Sequence, residues 1–102
     1  MDNSAAKIEN FTYDIIYYLL WIIELVLMLR FVLKIMGANS SNAIIAFVYS
    51  ISSIFMGVFK GVFGNVSIGN MIIEPSVLLA MVFYAIAAYV IVSLLRIVGQ
   101  HN

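Results

Sequence analysis

The sequence has no cysteine and very little charge. The lack of cysteine excludes a disulfide framework, a thiolate metal site and a thiol nucleophile. Five basic and five acidic side chains give a formal net charge of zero, which argues against a nucleic-acid partner because phosphate binding needs clustered Lys and Arg. A single histidine, His101, makes no metal site. We therefore predict no cofactor and no metal.

Apolar residues fill most of the chain. They make up 65% of the sequence, and the mean hydropathy is +1.11. Two runs, residues 11–36 and 75–98, would each reach roughly 35–40 Å as helices, enough to cross a hydrocarbon core about 30 Å thick. Because backbone groups in lipid must bond internally, both runs should be helical. The sequence predicts an all-α membrane protein with a single helical membrane domain, residues 11–98.

Shorter segments flank and join the two runs. A polar lead (1–10) has no basic region typical of a signal peptide, so we expect the first helix to remain as an anchor. A polar tail (99–102) ends the chain. The middle segment, 43–63, is apolar but rich in Ser and Gly. Its pattern fits a third span, giving a three-span bundle, as well as it fits an interfacial or re-entrant helix between two spans.

Small residues recur at helical spacing in two places. They are Ser53, Gly57 and Gly61 in the middle segment, and Ser76, Ala80 and Ala87 in the last run. Such stripes let helix backbones approach closely in lipid, so we predict helix packing there. In the middle segment the stripe also fits the less apolar face of an interfacial helix.

Charged residues mark the helix ends. Glu74 and Pro75 predict the start of the last helix, since Pro suits the first turn and an acid favours the positive end of the helix dipole. Arg30, Lys34 and Lys60 predict a basic cytoplasmic patch for lipid headgroups or an acidic partner, with topology anchoring as the plainer interpretation. Whether the chain has two or three spans, the Arg30/Lys34 side carries one more Lys or Arg than the other side, so the positive-inside rule places it in the cytoplasm.

Glu24 lies near the middle of the first run, where a charge costs at least about 2.5 kcal/mol. One interpretation is a proton or cation site. The other, which we favour, is a neutral acid bonded to another helix through Ser50, Ser53 or Tyr89. No second intramembrane acid is present for a relay.

The order of several motifs resembles the YggT/YlmG family of small membrane proteins, over about residues 25–97. The matching stretches are LRFVLKIMGAN (29–39), FVYSIS (47–52), VFKGVF (58–63), Glu74-Pro75-Ser76 and LAMVFY (79–84). Members usually carry prolines near Ile54 and Val58 and an acid near Ser53, which this chain lacks. The resemblance implies two spans per repeat, and it therefore favours two spans with an interfacial or re-entrant helix between them.

The resemblance also implies a multi-pass protein of the bacterial plasma (inner) membrane. Family members are linked to cell-division gene neighbourhoods, membrane-complex assembly and ion or osmotic homeostasis, without an agreed mechanism.

From residues and resemblance together we predict a non-enzymatic protein that organises a larger membrane complex. Ser50, Ser52 and Ser53 have no nearby base in sequence that would make a nucleophile, so no catalytic residue is assigned. The expected partners are the lipid bilayer, other membrane proteins and further copies of the chain. The alternative is an oligomeric pore or transport component, for ion homeostasis or holin-like, with Glu24 facing the lumen.

Overall fold

Three helices and a small hairpin make up the computed structural model, which describes the backbone of residues 4–101 and the side chains of residues 7–100. The elements are α1 (Ser4–Ile35), α2 (Ala43–Met56), a 3-10 turn (Gly57–Phe59), β1 (Val66–Ile68), β2 (Met71–Ile73) and α3 (Pro75–His101). Two long apolar helices with a shorter one between them confirm the predicted all-α fold with two candidate spans.

Length separates the two candidate spans from α2. The candidate spans, Lys7–Ile35 in α1 and Pro75–Gln100 in α3, have 29 and 26 residues, and the mean hydropathies of their most apolar stretches are 2.1 and 2.5. The 14 residues of α2 extend about 21 Å at 1.5 Å per residue, which is less than a hydrocarbon core of about 30 Å. The fold therefore has two candidate spans, and α2 is too short to be a third.

α1 begins earlier than the apolar pattern predicts. Its first turns, residues 4–10, are helical where a polar lead was expected, because Ala, Lys and Glu are good helix formers whether or not they are buried. The Thr12 hydroxyl donates to the carbonyl oxygen of Ile8 at 2.9 Å, and the Tyr13 hydroxyl donates to Glu9 at 2.6 Å. Similarly, α3 continues through Gly99 to His101. Residues 1–3 of the predicted lead and Asn102 of the predicted tail lie outside the described residues.

α1 and α3 pack against each other along their lengths. The inward-facing positions of α1 are buried or half-buried and recur at steps of three and four, which places them on one helix face: Tyr13, Ile16, Leu20, Ile23, Leu27 and Arg30. Small side chains, Ala80 and Ala88, lie on the buried face of α3. At the centre, four fully buried side chains join both long helices to the end of α2: Leu27, Met56, Val77 and Ala80.

A β-hairpin lies between the 3-10 turn and α3. β1 and β2 pair antiparallel, with Val66 opposite Ile73 and Ile68 opposite Met71. Gly69, with φ of +59°, and Asn70 form the two-residue turn. Strands of three residues are too short for alternation to be recognised in sequence. The hairpin and α2 therefore lie in one connecting segment, residues 36–74, at the Arg30 end of the helix pair.

Candidate functional site: a buried arginine cluster

Arg30 and Glu74 form a buried ion pair between α1 and the residue before α3. Arg30 Nε lies 2.9 Å from Glu74 Oε1, and Nη2 lies 3.3 Å from Oε2, so the guanidinium donates to both carboxylate oxygens. Each residue is only 3% exposed. A two-point contact of this kind fixes direction as well as distance. The pair therefore sets how α1 meets the start of α3.

The third nitrogen of Arg30 contacts α2. Nη1 lies 3.0 Å from the hydroxyl oxygens of Ser52 and Ser53, and 3.3 Å from the carbonyl oxygen of Tyr49. Ser52 in turn donates to that carbonyl at 3.1 Å. One side chain thus links α1, α2 and the residue before α3. We call Arg30, Lys34, Ser52, Ser53 and Glu74 the Arg30 cluster.

Lys34 adds a second positive charge to the cluster. Its Nζ lies 3.3 Å from Glu74 Oε1 and 5.7 Å from the centre of the Tyr49 ring, while one fifth of the side chain stays exposed. Burial alone would raise the pKa of Glu74, but hydrogen bonds from Arg30 and the charges of Arg30 and Lys34 outweigh it and lower that pKa below its ordinary value. Glu74 is therefore ionised at neutral pH, and the cluster carries a net single positive charge.

Two further polar contacts fasten α3 to the connecting segment. The Ser76 hydroxyl accepts from the backbone N–H of Phe63 at 3.0 Å and lies 3.3 Å from that residue's carbonyl oxygen. The Tyr84 hydroxyl donates to the carbonyl oxygen of Phe55 at 2.6 Å. Phe55 lies in the last turn of α2, whose carbonyls lack a partner within the helix. Tyr84 therefore caps the end of α2 from α3.

The chemistry of the cluster is that of a fixed ion pair. The hydroxyls of Ser52 and Ser53 accept from a guanidinium, which does not act as a base, so the arrangement does not activate a nucleophile. Among residues 7–100, no group of three His, Cys, Asp or Glu side chains is placed to hold a metal ion. Breaking a buried pair by removing one partner is strongly destabilising, because the remaining charge is left uncompensated.

The predicted basic patch is wrong for Arg30. That side chain is buried and pairs with Glu74, because the guanidinium has a carboxylate and three oxygens of α2 within reach. Lys34 is half-buried beside it, and Lys60 is exposed. Glu74 does precede the first turn of α3, as predicted, and its partners are Arg30 and Lys34.

The two small-residue stripes have different places in the structure. Gly57 and Gly61 lie beyond the end of α2, at φ of +41° and +79°, and a Cβ added at either would meet open space. Their predicted packing role within the chain is wrong because α2 ends at Met56, so the stripe does not continue as one helix face. Ser53 of this stripe instead accepts from Arg30.

On α3 the stripe follows the buried face for its first two members. Ser76 and Ala80 are fully buried. Ala87 is half-buried, and its neighbour Ala88 takes the deeper position at 7% exposure. The reason is the spacing: Ser76, Ala80, Tyr84 and Ala88 follow one another at steps of four.

Glu24 is half-buried on α1 and bonds to none of its predicted partners. Its Oε1 atom is buried and has no hydrogen-bond partner among the described residues. Ser53 is bonded to Arg30, Ser50 is exposed, and Tyr89 is 68% exposed on α3. The predicted bond through these three residues is therefore wrong.

Sequence reasoning missed the Arg30–Glu74 pair, although a signal for it exists. In an antiparallel helix pair, the end of the first helix meets the start of the second, so a cation near one and an acid at the other should lie close together. Three cations compete for that acid in sequence, and only the fold places Arg30 nearest.

Comparison with known proteins adds no relative: no family model, curated protein or solved structure matches this chain. Membership of the YggT/YlmG family therefore stays a proposal.

Proposed function

We propose that this chain is a non-enzymatic integral membrane protein with two spans, which acts by helix contact with other membrane proteins and helps to assemble a larger complex. The observation that carries the proposal is the outward apolar surface of the two long helices. Of the most apolar 18-residue stretch of each helix, only 11% is buried within the chain in α1, and only 22% in α3. The core helix of a water-soluble protein would bury most of that surface.

The role of α1 in the fold favours a permanent span over a leader that is removed. Arg30 of α1 holds both α2 and Glu74, and Leu27 fills the centre of the core. Removal of α1 would leave Glu74 without its guanidinium partner. In the proposed arrangement the connecting segment lies at one membrane surface, which the positive-inside rule assigns to the cytoplasm of a bacterial plasma membrane.

Topology can be tested by single-cysteine labelling, because the chain has no native cysteine. Ser67→Cys in the hairpin should resist an impermeant thiol reagent in intact cells and react after permeabilisation. Gln100→Cys at the far end of α3 should react in intact cells. The opposite pattern would reverse the orientation, and release of the chain by alkaline carbonate would contradict membrane insertion.

Helix contact can be tested with a photo-crosslinking amino acid at exposed and buried positions. Trp21 and Ile86 are 74% and 58% exposed, whereas Leu27 is fully buried and serves as the control. We expect protein adducts of defined mass, or dimers of the chain, from one exposed face and none from Leu27. Lipid adducts alone at every exposed position would contradict the assembly role.

The family resemblance is part of this proposal. The stretch around Arg30 and the Glu74-Pro75-Ser76 motif carry the resemblance, and both contribute to the contacts that fasten α3. This supports, as a proposal, a place in the YggT/YlmG family and its membrane-complex roles, including those near cell-division genes.

A second candidate function, an oligomeric pore or transport component, is favoured by one observation. Glu24 Oε1 is buried at membrane depth without a hydrogen-bond partner among the described residues. Glu24→Gln keeps the shape of the side chain but cannot release a proton. Ion flux in reconstituted vesicles that is lost in Glu24→Gln, with assembly intact, would place this function ahead of helix contact. Absence of flux in the unaltered protein would remove it.

A further inference from the structure

An open pocket of about 480 Å³ lies beside the Arg30 cluster, where α1 ends. Three parts of the chain enclose it: the turn after α1, the middle of α2, and the tip of the hairpin. Its polar lining consists of Lys34, Asn39, Ser40, Tyr49 and Asn70. Lys34 is the one charged residue in that lining, so the pocket presents a cation surrounded by neutral hydrogen-bonding groups.

The positive charge of the pocket is not fully balanced. Glu74 lies 2.9 Å from Arg30 Nε and 3.3 Å from Lys34 Nζ, so one carboxylate serves two cations. Arg30 directs its nitrogens at Glu74 and α2, which leaves Lys34, one fifth exposed, as the cation that faces the pocket. A second anion at this position would complete the charge balance of the cluster.

The neutral groups around Lys34 can donate hydrogen bonds. Asn39 uses its side-chain oxygen to accept from the backbone N–H and the hydroxyl of Ser41, at 3.0 and 2.7 Å, which leaves its amide nitrogen as a donor. Burial raises the pKa of Tyr49, the Arg30 charge opposes this, and Glu74 adds to it, so the hydroxyl keeps its proton at neutral pH. A cation with several neutral donors is the donor set that binds phosphate oxygens.

Gly37 fixes the wall of the pocket. It has φ of +68°, and a Cβ there would lie 3.0 Å from both the Cβ and the carbonyl oxygen of Asn70. The hairpin tip therefore rests directly on the end of α1, and Asn70 is held at the pocket instead of projecting away. The enclosure is part of the fold rather than a chance gap between loops.

We propose that this pocket binds a phosphate group, and that in the cell this group is the headgroup phosphate of an anionic phospholipid. The lipid source rests on the proposed membrane location, because the pocket then lies at headgroup level, at the end of a span. The phosphate chemistry does not rest on it. Free inorganic phosphate offers the same oxygens and is the alternative source.

The test uses the full chain in detergent micelles, with bound ligand measured by native mass spectrometry. The probes are dioctanoyl phosphatidylglycerol, dioctanoyl phosphatidylcholine and inorganic phosphate. We expect the anionic lipid to bind about tenfold more tightly than the zwitterionic one, as loss of one charge-assisted contact would give. Lys34→Gln should weaken that binding by about tenfold for the same reason.

Lys60→Gln is the matched control, because Lys60 is an exposed lysine of the same connecting segment outside the pocket. It should leave binding unchanged within about twofold, as expected for an exposed charge. Tyr49→Phe and Asn70→Ala alter the pocket without touching the ion pair. Each should weaken lipid binding by several-fold. If circular dichroism shows that Lys34→Gln does not fold, these two variants test whether the pocket binds the lipid.

Each outcome has a defined meaning. Lipid binding that depends on Lys34 and resists excess inorganic phosphate identifies the headgroup as the ligand. Binding of inorganic phosphate that depends on Lys34, with displacement of the lipid, identifies free phosphate. Equal losses in Lys34→Gln and Lys60→Gln, or no preference over phosphatidylcholine together with no phosphate binding, would overturn the proposal. Carbonate extraction and cysteine labelling test the membrane location separately, so the two proposals can fail independently.

Discussion

The two ends of the α1–α3 pair both join opposite charges, but by different means. At the Arg30 end, a guanidinium and a carboxylate are buried and bonded directly, and α2 supplies further acceptors. At the opposite end, Glu9 accepts from the Tyr13 hydroxyl, and the Arg96 guanidinium carbon lies 5.1 Å from the centre of the Tyr13 ring. Glu9 and Arg96 are both exposed.

This difference separates an end that holds three segments from an end that only aligns two helices. Direct bonds between buried charges are geometrically demanding and costly to break. Exposed charged side chains that meet only through an aromatic ring tolerate movement, and such contacts are weaker. We expect the Arg30 end to be the rigid part of the molecule and the Tyr13 end to adjust to its surroundings.

The largest expected effect on stability comes from removing the Arg30 guanidinium, and removal of the Arg96 guanidinium at the other end is the matched comparison. Arg30→Met leaves Glu74 buried with only Lys34 nearby, so the free energy of unfolding should fall by about 3–5 kcal/mol. Arg96→Met should have a much smaller effect. Unfolding in mixed detergent and SDS, followed by near-ultraviolet circular dichroism, measures both. Equal losses would show that the two ends are equivalent and would contradict the comparison.

The second-largest expected effect is the loss of folding stability at the Arg30 end in acid. The pKa of Glu74 in the folded protein lies below its ordinary value of 4.5, so the stability from the ion pair is complete above that pH. This stability is lost as the pH falls through the lower folded pKa, where the carboxylate takes up a proton. Unfolding measured from pH 7 downward should show this loss, and Glu74→Gln should not show it. The same loss of stability in Glu74→Gln at low pH would show that Glu74 is not its source.

Two glycines allow the same substitution at both ends. Gly37→Ala should destabilise the fold by about 1–2 kcal/mol through its left-handed backbone alone, with a further cost from the contact with Asn70. Gly99→Ala lies in helix α3, where Ala is the better residue by about 0.5–1 kcal/mol. Its Cβ would lie 3.2 Å from Glu9 Oε1, the end of an exposed side chain that can move aside.

The same unfolding assay, with hydrogen exchange of the hairpin amides, measures both glycine variants. Gly37→Ala should speed exchange in the hairpin, and Gly99→Ala should not. Gly61→Ala serves as a control, since it shares the left-handed backbone but its Cβ would meet open space. A cost in Gly37→Ala no larger than that in Gly61→Ala would show that the contact with Asn70 does not matter.

The smallest effects should come from two tyrosine hydroxyls. Tyr84→Phe removes the cap on the carbonyl oxygen of Phe55, which should cost about 1 kcal/mol, as for a typical hydrogen bond. Tyr13→Phe keeps the ring beside Arg96 and should change stability less. Thermal unfolding in micelles can rank the pair, and a larger loss in Tyr13→Phe would reverse the order of the two ends.

The sequence alone determined the two long helices and the start of the second. Apolar runs long enough to span lipid admit few structures other than helices, and Pro75 after Glu74 placed the start of α3 at the observed residue. These features depend on local composition, which is legible without knowledge of what packs where. The apolar pattern did not predict the extension of α1 through residues 4–10, because hydropathy marks only the apolar part of a helix and the helix can continue into polar residues.

Only the tertiary structure decided how the charged and small residues are used. Arg30 and Glu74 are 44 positions apart, and Lys60 is an equally plausible partner until the fold places the end of α1, with Arg30 and Lys34, beside the start of α3. Gly57 and Gly61 matched a packing stripe until α2 ended at Met56. Partner choice depends on distances between segments distant in sequence, which the connecting segment sets and no local pattern encodes.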